Sequence, residues 1–241
     1  MDNRWVIYID IEGFSALYPV GNEALWALNR MALAIHRIGK IVFPEPPDRL
    51  FAYQLGDGFI IVSDFHESNL DRPVLLATLL MKYMANFGVF ASAAITEGGL
   101  SGITGFYPEE VINDCIEGNP CIVSMGTGLM TLFPVMGTSL INAVAINKKA
   151  PKGPLFVIPI EFADRLSSPF GIMQITGEEF VAIDWVHAKS HSMTEIANKV
   201  QLDLPQPKEI ETMLKRYIST QNLPAEWEIN CVKFLKLSHS V

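Results

Sequence analysis

The sequence predicts an α+β domain, on three observations. Short β-branched and aromatic runs alternate with stretches that repeat apolar residues at helical spacing. Two apolar segments meet at Leu55-Gly-Asp-Gly58, a hairpin signal. The chain of 241 residues is 49% hydrophobic, enough to bury a substantial core in one large domain.

Taken in order, Val6 to Ile9 reads as a buried strand that ends on Asp10 and runs into Gly13-Phe14-Ser15. Asn22 caps a helix to about Gly39, with Leu25, Leu28, Ala32 and Ile35 as its apolar stripe. Pro44 to Pro47 is a loop leading to the hairpin strands Phe51–Leu55 and Gly58–Val62. Pro73 opens a second helix, Val74 to about Asn86, apolar on nearly every side. Val89 to Ile95 is a strand of small residues, and 97–119 is a Gly- and acid-bearing insertion without assigned structure.

The later half offers a strand at Leu155–Ile160 and a short helix near Phe162–Leu166. A hairpin, Gly171–Ile175 with Phe180–Trp185, turns at Thr176-Gly-Glu-Glu179. Ser190 to Pro207, polar and Pro-punctuated, reads as a linker. Two helices follow, one with the stripe Ile210, Met213, Leu214, Tyr217 and Ile218, the other opened by Pro224 and carrying Trp227, Cys231 and Phe234. The expected organisation is a catalytic domain over 1–188 and a linker with a packed helical tail over 189–241.

Composition excludes several classes. Net charge is −8 with no Lys/Arg cluster, so a nucleic-acid footprint is absent. Three cysteines without a CxxC pair, and a Met1-Asp-Asn-Arg4 start unlike a secretory leader, lead us to expect a cytoplasmic protein with reduced thiols. No charged residue occurs between Glu117 and Lys148, a length that would cross a bilayer. Its two prolines and four glycines argue instead for buried or interface-forming structure outside any membrane.

Chemistry concentrates at two acids. A carboxylate at a strand tip followed by a tight Gly turn is a good mount for a metal ion, because the strand is rigid and Gly admits a phosphate close to the backbone. Many strands end on Asp for turn reasons, and that plainer reading of Asp10 stands beside the first. Asp57, presented by the Gly-Asp-Gly turn, strengthens the metal reading: if the strands are neighbours, Asp10 and Asp57 converge.

Asp10-Ile-Glu-Gly-Phe-Ser15 and Leu55-Gly-Asp-Gly58 resemble the first and second metal motifs of the class III nucleotidyl cyclases. The resemblance implies a ferredoxin-like, mostly antiparallel sheet with helices packed on it. It implies two manganese or magnesium ions per site, held by Asp10, Asp57 and the carbonyl of Ile11. The amides of residues 12–15, with Phe14 and Ser15, would cradle the triphosphate, and the ribose 3′-hydroxyl would attack the α-phosphate. Because class III sites lie between subunits, a homodimer with shared active sites is implied, with the 118–147 region and the 74–86 helix as candidate interfaces.

The third family motif, an Asn and an Arg on one helix, aligns with Met136-Gly-Thr-Ser-Leu-Ile-Asn-Ala-Val-Ala-Ile-Asn147. It puts Ile141 and Ala145 at those two positions, so Asn142 and Lys149 are the expected substitutes. The family's purine-reading Lys falls on Tyr53, whose ring and hydroxyl suit a smaller base. As an ordinary strand residue, Tyr53 would mean nothing more. An even count from Tyr53 to Asp57 puts both side chains on one sheet face.

These traits resemble the bacterial Pycsar pyrimidine nucleotide cyclases more narrowly. That resemblance implies conversion of UTP to cyclic UMP in anti-phage defence, with a separate effector protein as listener. The alternatives are a cytidylate cyclase making cyclic CMP, or a catalytically silent nucleotide-binding domain, which the replaced Asn and Arg motivate. A diguanylate-cyclase relative is disfavoured, since the Leu55-Gly-Asp-Gly58 hairpin lacks a paired acid.

Overall fold

The computed structural model describes residues 3–17, 21–46, 48–167 and 170–237; Met1, Asp2, Pro47 and the last four residues of the expected tail lie outside them. The first half is a β-α-β-β-α-β unit. Strand β1 (Asn3–Ile11) leads through a single-turn helix α1 (Phe14–Leu17) into helix α2 (Glu23–Val42). The hairpin β2 (Leu50–Leu55) and β3 (Gly58–Ser63) follows, then α3 (Asp71–Ala85) and β4 (Ala91–Gly102).

After β4 come α4 (Glu109–Asn113) and a small three-stranded sheet of β5 (Cys115–Ile116), β6 (Asn119–Met125) and β7 (Gly128–Thr131). β8 (Val135–Gly137) pairs with the end of β4 and feeds α5 (Thr138–Lys149). β9 (Phe156–Pro159), β10 (Ile172–Gln174) and β11 (Phe180–Ile183) complete the main sheet, and α6 (His191–Val200), α7 (Pro207–Thr220) and α8 (Ala225–Leu235) close the chain.

The main sheet runs β10-β11-β9-β4-β1-β3-β2. Every neighbouring pair is antiparallel except β4–β9. Its β4-β1-β3-β2 portion is the ferredoxin-like order: β1 and β2 flank the inserted β3, and β3 and β4 flank the inserted β1. The fold is thus α+β around a central, mostly antiparallel sheet, as the sequence predicts.

Period-2 alternation sorts β1 between two cores. Trp5, Ile7, Ile9 and Ile11 join the main core, where α2 and α3 lie. Val6 and Tyr8 face the other way, into a smaller cluster with Ile60, Val62, and Leu140 and Ala143 of α5. Asp10 continues that second face.

Several sequence expectations shift. α2 runs three residues past Gly39, and its buried stripe is Ala24, Ala27, Met31, Ala34 and Ile38, one position off the expected set, leaving Leu25 49% exposed. Small alanines allow the close approach to the sheet, which hydropathy alone does not weigh. The expected insertion is in part strand, because β4 continues to Gly102 and pairs with β1 as far as Gly99. The expected linker contains α6, capped by the Ser190 side chain accepting from Met193 N and packed on α2 and α3.

α3 is buried from Pro73 to Ala85 within the chain's own core, which leaves the 74–86 helix no free face for a partner. Its one basic residue in that stretch, Lys82, donates to the carbonyls of Val186 (2.9 Å) and Ala188 (2.8 Å), tying α3 to the segment before α6. His36 is exposed, as expected of a surface helix position.

Candidate active site

Asp10 sits within β1, directly opposite Gly58 of β3 on one side and Ser92 of β4 on the other. Asp57 occupies the two-residue turn immediately before Gly58. The hairpin therefore places Asp57 close enough for its charge to act on Asp10. Burial first, then Asp57 and Glu12, push the Asp10 carboxyl up to about 6, although the Tyr8 hydroxyl and the Ile11 amide lie against it and oppose the shift. Its Oδ1 is buried with no hydrogen-bond donor among the described residues. Burial, Asp10 and Asp57 likewise push the Tyr8 hydroxyl up.

The close fit at this point needs glycine. A Cβ on Gly58 would lie 3.0 Å from Asp10 Oδ1 and 3.1 Å from the Ile9 carbonyl. Gly13, at φ +70°, turns the chain after β1, and the Tyr217 hydroxyl of α7 stands 2.9 Å from where its Cβ would be. The carbonyl of Gly13 accepts from the amides of Ala16 and Leu17, which makes the short α1 turn. Phe14 is half-buried against the main core, and Ser15 is exposed. One member of the expected phosphate cradle is already committed: the Glu12 amide donates to the Phe90 carbonyl at 2.9 Å.

Tyr53 pairs across the sheet with Ile60, which pairs with Tyr8. Tyr53 and Asp10 thus share a face in neighbouring rows, about 7 Å apart along the strands. The parity count from Tyr53 to Asp57 does not apply, because the strand ends at Leu55 and Asp57 lies in the turn. Phe133, from the segment after β7, meets the Tyr53 ring edge-on at a centroid distance of 5.7 Å. Burial raises the Tyr53 hydroxyl's pKa, with Cys121 of β6 also acting on it. Both neighbours come from the uncharged 118–147 region, which thus packs against Tyr53.

Asn142 and Lys149 stand apart from the acids. Both are exposed on α5, and with Ala145 they line a separate cleft of about 570 Å³ containing Glu97, Glu161, Glu178 and Glu179. Ile141 is 56% exposed.

Four side chains to which the sequence reading gave no part in the site, those of Glu12, Ser92, Asn147 and Trp227, make contacts beside it. Glu12 accepts from the Trp227 indole of α8 at 3.2 Å. Its carboxyl is pushed up by burial, against opposing contacts from Trp227 and Ser92. Asn147 Nδ2 donates to Ser92 Oγ at 3.3 Å. Leu140, Ala143 and Asn147 form one helical stripe, so an amide ending an otherwise buried apolar stripe was the available signal for Asn147.

The donor set suits a hard divalent cation: carboxylates side by side, one with an unpaired buried oxygen. Among the described residues no group of three His, Cys, Asp or Glu side chains is arranged to hold a metal, so remaining positions would fall to carbonyl, amide, water or phosphate oxygens. Among the described residues no helix is long and apolar enough to cross a membrane.

No protein-family model matches the chain, and no curated protein matches it with significance. Solved structures with similar chain arrangement include the guanylyl cyclase Cya2, 9% identical at a TM-score of 0.41, covering 75% of this chain and 90% of that one. A bacterial light-regulated adenylyl cyclase is 11% identical at 0.45, covering 84% and 57%. A class III adenylyl cyclase-like ATP-binding protein from Pseudomonas aeruginosa is 12% identical at 0.40, covering 81% and 40%. The chain thus spans little more than half of the second and less than half of the third. Likeness at this level is one of chain arrangement and says nothing of substrate.

Proposed function

We propose that this chain is a metal-dependent nucleotidyl cyclase that converts UTP, before CTP, to its 3′,5′-cyclic monophosphate and pyrophosphate. The observation that carries the reading is the acid pair, Asp10 on β1 beside Asp57 in the adjoining β2–β3 turn, with Asp10 Oδ1 buried and unpaired. Two magnesium or manganese ions bound there would neutralise the triphosphate and favour ionisation of the attacking 3′-hydroxyl. Asp10, Asp57 and the Ile11 carbonyl would hold the cations. The Gly13 turn lets the triphosphate approach the backbone. Tyr53, with Phe133 against its ring edge, would meet the base and favour a smaller one.

A second copy of the chain fits the same reading. Met125, Leu129, Met136 and Ile141 are 54%, 63%, 45% and 56% exposed in a stretch without charge, and these apolar side chains are candidates for burial against a partner. In a homodimer, the α5 residues Asn142 and Lys149 would complete a partner's site rather than their own. A cytoplasmic role in anti-phage defence, with a separate effector reading the cyclic nucleotide, follows the sequence resemblance.

A catalytically silent nucleotide-binding domain is the second reading, favoured by the exposed hydrocarbon groups of Ile141 and Ala145 where an amide and a guanidinium are expected. Incubating the purified chain with each of the four nucleoside triphosphates and manganese, with products read by mass, separates the two. Cyclic UMP as the main product supports the proposal. No product from any nucleotide, with UTP still raising the melting temperature, supports the silent domain.

A further inference from the structure

We propose, resting on the cation site just described, that Asn147 of α5 supplies a third side-chain oxygen to it. The register of α5 on the sheet carries the argument. Near the N-terminus of α5, Thr96 Oγ1 donates to the Ser139 carbonyl at 2.6 Å; near its C-terminus, Asn147 Nδ2 donates to Ser92 Oγ. Four residues of β4 between Ser92 and Thr96 span about 13 Å, and eight of α5 between Ser139 and Asn147 span about 12 Å, so helix and strand run in step. Asn147 is held over Ser92, whose direct neighbour across β1–β4 is Asp10.

The amide's orientation follows from its one hydrogen bond. Asn147 Nδ2 is the atom that reaches Ser92 Oγ, at 3.3 Å, and a serine oxygen can accept it. With Nδ2 on Ser92, Oδ1 is the atom left for another partner. That oxygen is buried with no donor among the described residues, the same condition as Asp10 Oδ1. Asp10 and Asn147, linked through Ser92, each hold a buried acceptor without a donor among the described residues, and each would be satisfied by a cation. A neutral amide oxygen beside carboxylates is an ordinary ligand for a hard divalent ion, and it supplies the oxygen that two carboxylates alone do not.

Manganese binding to the intact, nucleotide-free chain, followed by loss of the free-ion electron paramagnetic resonance signal, tests this without reading turnover. Asn147→Ala should weaken binding at least about tenfold, the scale of losses on disturbing a metal site's supporting shell. Asn147→Asp, which keeps an oxygen there and adds charge, should bind at least as tightly as the unmodified chain. An unchanged affinity in Asn147→Ala, with binding abolished in Asp10→Ala, overturns the role of Asn147 and leaves the cation site standing. Absence of manganese binding in the unmodified chain removes the cation site itself. If Asn147→Ala fails to fold, Asn147→Asp decides: weaker binding than the unmodified chain contradicts the proposal.

Discussion

Asp10 and Gly58 face each other across β1 and β3 so closely that a methyl group on Gly58 would lie 3.0 Å from the Asp10 carboxylate. The Ile9 carbonyl, 3.1 Å from the same point, cannot yield without disturbing the ladder. Gly58→Ala should therefore cost about 1–3 kcal/mol, in the range for overpacking. It should also turn the carboxylate and weaken manganese binding. Urea unfolding and metal titration of the same variant check both.

The Asp10 carboxyl, lifted to about 6 from 3.8, binds its proton more tightly in the folded chain than in the unfolded one. Its contribution to stability is therefore fully present below about 3.8 and is lost as pH rises through about 6. With Asp10 partly open to solvent, the effect at neutral pH is on the order of 1 kcal/mol. Without metal, Asp10→Asn should equal the native chain in stability at pH 4 and exceed it at pH 7, measured by urea unfolding at both. Manganese should close the gap at pH 7 by stabilising the native chain only.

At the base, the half-buried Tyr53 ring against Phe133 should reject purines by about 10–200-fold, the range for a misfit in an apolar pocket. UTP should be used at least about tenfold better than ATP. Tyr53→Ala should narrow that ratio, while Tyr53→Phe should change the ratio of UTP to CTP if the hydroxyl reads the base. Competition assays with paired nucleotides give each ratio directly.

The sequence carried what local rules decide. Val6 to Ile9 and the Gly-Asp-Gly turn announced themselves through β-branching and turn chemistry, and the two acids met because a hairpin strand pairs with β1. What stayed hidden depends on distant contacts. No local pattern tells that α8 returns to place the Trp227 indole on Glu12, 215 positions away. α6 was masked by a polar composition that suits a helix packed along one stripe, Met193, Ala197 and Val200. Asn142 drew notice as the amide nearest the expected motif position, yet α5 turns it outward and turns Asn147, five residues on, toward Ser92.

The most direct test of the acid pair is turnover of UTP at saturating manganese by Asp10→Ala and Asp57→Ala, each checked by circular dichroism for an intact fold. Both acids lie at the sheet's end rather than within the apolar core, so both variants should fold. Each should lose cyclic UMP production entirely. Cyclic UMP formed by either folded variant at a rate near that of the unmodified chain would contradict the account.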